Sequence, residues 1–176
     1  MPLRRIAMSL VERGERRIGV GLDYVRHIAR TDLGLLLRYN RIFGFLDPNR
    51  KVAPEAYHAA RLRGAVAADC GTCVEAEINL ARTAGLDART IDRIIGADYG
   101  DLPPGVAAAA ELADHVVGRR EDHSEAREAV RAAYGEAGLI ELSFAMNGAA
   151  LLPGIKRAMG YATACDLQII RKTVRK

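Results

Sequence analysis

Helical periodicity runs through this chain almost without interruption, and it limits the fold more than any other feature. Apolar residues recur three or four apart, beginning with Leu3, Ile6, Leu10, Ile18, Leu22, Val25 and Ile28. Those spacings return to one face of an α-helix. No stretch of useful length alternates apolar with polar residues, as a half-buried strand would. Ala, Leu, Arg and Glu, all strong helix formers, are abundant, while aromatics make up 5% and Trp is absent. The expectation is an all-α single domain over residues 1–176, a length that fits one domain and can bury a real core.

Caps and breakers predict the helix boundaries. The first stripe spans Leu3–Ile28, with a break expected at Gly14 or Gly19. Asp32 caps a helix from Leu33 to about Phe45, which Asp47-Pro48 ends. Pro54 suits a first turn, so Pro54–Ala68 is the next helix. Another follows to about Ala84 and stops at Gly85. Asp87 caps a short helix to Ile95, and Gly100–Pro104 reads as a loop. Helices are expected over Gly105–Val117, Ser124–Tyr134 and Glu136–Ala150. Pro153-Gly154 should interrupt before a last helix enters the basic tail.

Charge is uneven along the chain. Residues 1–63 hold thirteen Lys/Arg against six acids, residues 64–155 seven against fifteen, and residues 156–176 six against one. Basic ends suit nucleic acid, but no zinc-finger spacing, helix-turn-helix signature or Gly-flanked aromatic motif accompanies them. They read instead as solvated faces, or as surfaces that meet an acidic face of another subunit. The first residues lack the apolar core of a secretory signal, and no run of eighteen apolar residues predicts a membrane span. The expected partners therefore include neither nucleic acid nor membrane, and the expected compartment is the reducing cytoplasm.

In that compartment the pair Cys70-Gly71-Thr72-Cys73 is the feature that carries chemistry. Two cysteines three apart on a helical turn share a face and can exchange a disulfide, and CxxC in a cysteine-poor cytosolic chain reads as redox or metal chemistry. Zinc would need two further ligands, and only Cys165 and four scattered histidines are at hand. A helix beginning at Cys70 would favour a thiolate through its amides. Glu77 lies four residues past Cys73, on the same face. An ionised Glu alone would raise a thiol's pKa, so it needs a partner that takes up a proton. His58, on the preceding helix, can supply that role if the two helices pack antiparallel.

The stretch Ala59–Cys73, continuing to Ala84-Gly85-Leu86, resembles the alkylhydroperoxidase D and carboxymuconolactone decarboxylase superfamily. Residues 139–160 look like that family's downstream helix, and the resemblance covers about 55–160. It implies an alkylhydroperoxidase D-like helical bundle, assembled as a trimer or hexamer. The implied activity is reduction of a hydroperoxide by Cys73, with Cys70 closing the disulfide and a thiol or dithiol reductant reopening it. No cofactor and no metal are implied. The family places Glu where this chain has His58, and His where it has Glu77, so the two residue types are exchanged. A relay needs a carboxylate, an imidazole and a thiol within reach, whichever helix supplies each. The expected catalytic set is therefore Cys73, Cys70, His58 and Glu77. The alternative is a non-catalytic helical oligomer with a decayed site; lyase-like members of the family characteristically lack the CxxC pair.

The remaining polar residues carry no motif. His27, His115 and His123 read as surface or satisfied core histidines, Cys165 as a small buried residue, and Arg61 and Arg63 as solvated. Asn147 and Lys156 read as structural.

Overall fold

The computed structural model describes residues 2–46 and 51–175. Its helices are α1 (Pro2–Ile18), α2 (Asp23–Thr31), α3 (Leu33–Asn40), α4 (Ile42–Phe45), α5 (Pro54–Ala67), α6 (Gly71–Thr83), α7 (Ala88–Ile95), α8 (Pro104–Ala113), α9 (Ser124–Ala158) and α10 (Leu167–Val174), with a π-helical segment, Asp114–Arg119, after α8. The described residues contain no strand, as the periodicity requires.

The local signals act largely as read. Asp32 accepts from Leu35 N and Asp87 from Thr90 N, each at 2.9 Å, capping α3 and α7. Gly85, at φ 98°, ends α6 in a conformation that favours glycine. Of the two candidate breaks in the first stripe, Gly19 (φ 70°) is the one used, and Gly14 stays inside α1. The expected stop at Asp47-Pro48 lies outside the described residues. The split at Gly135 takes the form of a kink at φ 70°, inside one long α9. Pro153 does not interrupt: α9 runs through it to Ala158, and its ring is fully buried. Packing here outweighs the hydrogen bond that proline cannot donate.

α5 is the axis of the core. It packs on α6, α7, α8 and α9, and Ala56, Ala59, Ala60, Leu62 and Ala65 are all fully buried. Small residues on several faces let neighbouring helices approach on every side. A Cβ at Gly64 would stand 2.3 Å from the Met146 carbonyl oxygen, so α5 and α9 cross in backbone contact. Ile91, Ile94 and Ile95 of α7, Leu112 of α8, and Leu142 and Met146 of α9 complete the main core. By length and composition α9 could cross a membrane, yet it packs as a core helix against α5 and α8.

The N-terminal helices form a smaller cluster, with Val11, Tyr24, Val25 and Tyr39 packed against Leu152 of α9 and Met159 at its C-terminal end. Asn79 of α6 donates to the Ile18 carbonyl at 2.9 Å and ties α1 to the main body. At the other end, Arg171 and Arg175 both bind Asp92 of α7. The hydrogen bonds from Arg171, then Arg175, hold that carboxyl down at about 2, against the opposing effect of burial. Part of the basic tail thus pairs within its own chain, although the Arg175 side chain stays largely exposed. It clamps α10 to its own chain.

Candidate functional site

α5 ends at Ala67, and the chain turns through Asp69, which takes φ 50°. The short polar side chain of Asp tolerates that left-handed conformation. Its carboxylate accepts from Cys165 N at 3.1 Å. Cys70 then serves as the N-cap residue of α6, with Gly71 and Thr72 opening the helix. The segment after α9 folds back over this turn: Thr163 O accepts from Gly71 N at 3.2 Å, and Thr163 Oγ1 from Thr72 N at 3.4 Å. A Cβ at position 71 would stand 2.9 Å from the Ala164 carbonyl, so the covering strap needs glycine inside the CxxC. Arg157 fixes the turn from below, donating to the Ala68 and Asp69 carbonyls at 2.8 and 2.7 Å.

Cys70 and Cys73 are free thiols whose sulfurs lie 2.8 Å apart in an S–H···S hydrogen bond. Cys70 is fully buried, while Cys73 is part-exposed. The hydrogen bond from Cys73 is the largest influence pulling Cys70 down to about 5. The Thr72 hydroxyl, the Cys73 N–H and the Lys156 charge add to it, against the opposing effect of burial. The same hydrogen bond, with burial and the Cys70 charge, pushes Cys73 up. These influences favour a thiolate at Cys70 over one at Cys73. Two amides of the helix N-terminus are taken by Thr163 and do not point at the sulfurs as free donors.

Lys156 supplies the positive charge, a role its sequence position did not suggest. It projects from the last turns of α9, is 6% exposed, and has no ion-pair partner among the described residues. Its Nζ donates to Thr72 Oγ1, which leaves the Thr72 O–H directed to Cys70 Sγ at 3.7 Å. On its other side Nζ lies 5.5 Å from the centre of the Tyr24 ring. A buried ammonium without a carboxylate is costly unless a nearby anion offsets it, and its charge favours the thiolate form of Cys70. Tyr24 in turn meets Tyr39, hydroxyl to hydroxyl, at 2.5 Å. Burial pushes the Tyr24 phenol up to about 12, so this wall of the site stays neutral.

The expected relay is arranged differently. Glu77 is buried on the Cys73 face of α6, and its charge raises Cys73. Both its oxygens, however, are held by Arg61, with Nε and Nη2 each at 2.7 Å. Arg61 is thus no solvated residue: it is 7% exposed and also donates to Tyr57 Oη at 3.2 Å and the Leu46 carbonyl at 3.4 Å. His58 makes no hydrogen bond to Glu77 or to either cysteine, and its Nδ1 is buried without a partner. Burial, and then the Arg61 charge, lower His58 to about 4, so the ring is neutral. The charge that offsets Glu77 is a guanidinium, and His58 stands beside the pair as a neutral ring.

Sequence spacing thus finds the dithiol and Glu77, and misses Arg61, Thr72 and Lys156. Arg61 could have been flagged by its lie among alanines on a helix buried almost all round. Lys156, 83 residues beyond Cys73, leaves no local signal. A cavity of about 650 Å³ lies elsewhere, lined by residues including Glu15, Arg30, His27 and Tyr161. A hollow of about 200 Å³, lined by Asp69, Arg157, Thr163 and Ala164, adjoins the CxxC turn. No protein-family model matches this chain, and neither the curated proteins nor the solved structures yield a match.

Proposed function

We propose that this protein is a thiol-dependent peroxidase or disulfide oxidoreductase of the alkylhydroperoxidase D-like type. The observation that carries the reading is two free cysteines with sulfurs 2.8 Å apart, beside a buried Lys156 that has no carboxylate partner among the described residues. A thiolate attacks peroxides and disulfides where a thiol does not. Cys73 is the sulfur an incoming hydroperoxide meets first, because Cys70 is enclosed. The Cys70 thiolate takes the Cys73 proton as Cys73 attacks the terminal peroxide oxygen. The O–O bond breaks, Cys73 becomes a sulfenic acid, and the alkoxide recovers the proton from Cys70. The restored Cys70 thiolate then displaces hydroxide from the sulfenic sulfur and closes the disulfide. Two thiol sulfurs lose two electrons, and the O–O bond takes them up. An external thiol or dithiol returns the pair to its reduced form.

One equivalent of hydroperoxide added to the reduced protein should give an intramolecular Cys70–Cys73 disulfide, read as a loss of two mass units in the peptide that holds both. Cys73→Ser should consume no peroxide, and Cys70→Ser should stall at sulfenic acid or overoxidise. Equal residual turnover in the two variants would reject the assignment. The locked Glu77 and the unpartnered His58 favour a second reading, a non-catalytic member with a decayed site. It predicts oxidation of Cys73 no faster than a free thiol. We also propose a homo-oligomer, supported by exposed Leu3, Ile6 and Leu10 on α1 and Ile140 and Leu151 on α9. A monomer mass by light scattering at working concentration would refute it.

A further inference from the structure

Two histidines that the sequence leaves unconnected come together at the opposite end of α8. α8 passes into the π-helical segment, and Arg120 at φ 60° turns the chain back. That return sets His123, the N-cap of α9, against His115, with ring centroids 3.9 Å apart. Glu111, on the last turns of α8, joins them. One ligating atom from each of the three lies within 4.8 Å of the other two, and His123 Nε2 is 3.9 Å from Glu111 Oε1.

We propose that Glu111, His115 and His123 bind a borderline divalent cation of the zinc class. Two imidazole nitrogens and one carboxylate oxygen are the donor set such ions prefer over harder, all-oxygen sites. Tetrahedral zinc wants neighbouring ligands roughly 3.3 Å apart, given bonds of about 2.0–2.1 Å. Side-chain rotation covers the difference. Three protein ligands leave a fourth position open to water or a small anion.

The surroundings of His115 point the same way. Arg119 Nη1 lies 3.4 Å from His115 Nε2, and a guanidinium only donates, so Nε2 presents its lone pair there. Nδ1 faces Glu121 Oε2 at 3.8 Å. A carboxylate behind the other nitrogen is how metal-binding imidazoles are oriented and made more basic. The exposed Arg119 guanidinium thus stands where a metal cation would, and can swing into solvent. His123 carries a cost. Its Nδ1 accepts from Ala126 N at 3.1 Å, so its proton sits on Nε2. A metal at Nε2 sends that proton to Nδ1 and releases the Ala126 amide. Loading the site therefore loosens the first turn of α9. None of these groups belongs to the dithiol site, so this inference stands or falls apart from the proposed redox activity.

The test is a zinc chloride titration of the full-length protein, followed by imidazole and amide NMR signals and by calorimetry. One equivalent of zinc should shift His115, His123 and the Ala126 amide and leave His27 and His58 in place. His123→Asn keeps a good N-cap while removing the ligand, and Glu111→Gln removes the carboxylate. Each should weaken zinc binding at least tenfold, and Glu121→Gln about tenfold. Arg119→Ala should tighten it several-fold. Unmoved His115 and His123 signals, or an affinity unchanged in His123→Asn, would overturn the proposal.

Discussion

Replacing Arg61 by Met tests whether the buried ion pair beside the dithiol is arranged as described. Arg61 and Glu77 are joined by two hydrogen bonds of 2.7 Å, with side chains 8% and 6% exposed. Removing one partner of a buried pair leaves an uncompensated charge and costs about 3–5 kcal/mol. In a chain of 176 residues, about 1 kcal/mol moves the melting temperature by roughly 2–4 °C, so a fall of about 6–20 °C is expected. Arg61→Met/Glu77→Leu removes both charges. It should recover most of that loss, short of about 1 kcal/mol for the weaker bonds to Tyr57 and Leu46. Urea unfolding of the wild type, both single variants and the double gives the coupling directly. Iodoacetamide alkylation gives a functional readout, since a bare Glu77 charge beside Cys73 should slow it in Arg61→Met and the double should restore it. A single variant within about 1 kcal/mol of wild type, or a double variant no more stable than Arg61→Met, would refute this account of the pair.

Thiolate absorbance at 240 nm should persist at neutral pH and fade as pH drops through about 5, where Cys70 protonates. Lys156→Met should move that midpoint up, and an unmoved midpoint would show that the ammonium does not stabilise the anion. His58 is held low, at about 4, so between pH 6.5 and 4 the unfolded chain binds a proton that the folded chain refuses. Stability should therefore fall as pH falls through that window, and His58→Leu should flatten the slope in chemical unfolding. Gly64→Ala should destabilise by at least about 1–3 kcal/mol, because its methyl meets a backbone oxygen of α9 that cannot turn aside. A loss under about 0.5 kcal/mol would mean that α5 and α9 separate easily.

What the sequence determined by itself was local. Periodicity, and caps at Asp32 and Asp87, act within a few residues, so helices and most ends were legible. The CxxC pair and Glu77 were legible for the same reason, since three- and four-residue spacings assign a helical face before any packing is known. Tertiary structure decided everything that depended on what crosses that face. Arg61 claims Glu77 because α5 and α6 pack with a buried cation between them, where the spacing of His58 had suggested an imidazole. Lys156 reaches Thr72 because α9 continues through Pro153, the very residue whose local chemistry predicts a break. Thr163 takes the α6 amides because the chain after α9 folds back over Gly71. His115 and His123 become neighbours only because a π-helical segment and a left-handed Arg120 reverse the chain between them. For Arg61, Lys156 and Thr163 the deciding contacts join segments distant in sequence, and for the two histidines an irregular turn does the work; neither leaves a periodic signal in the sequence.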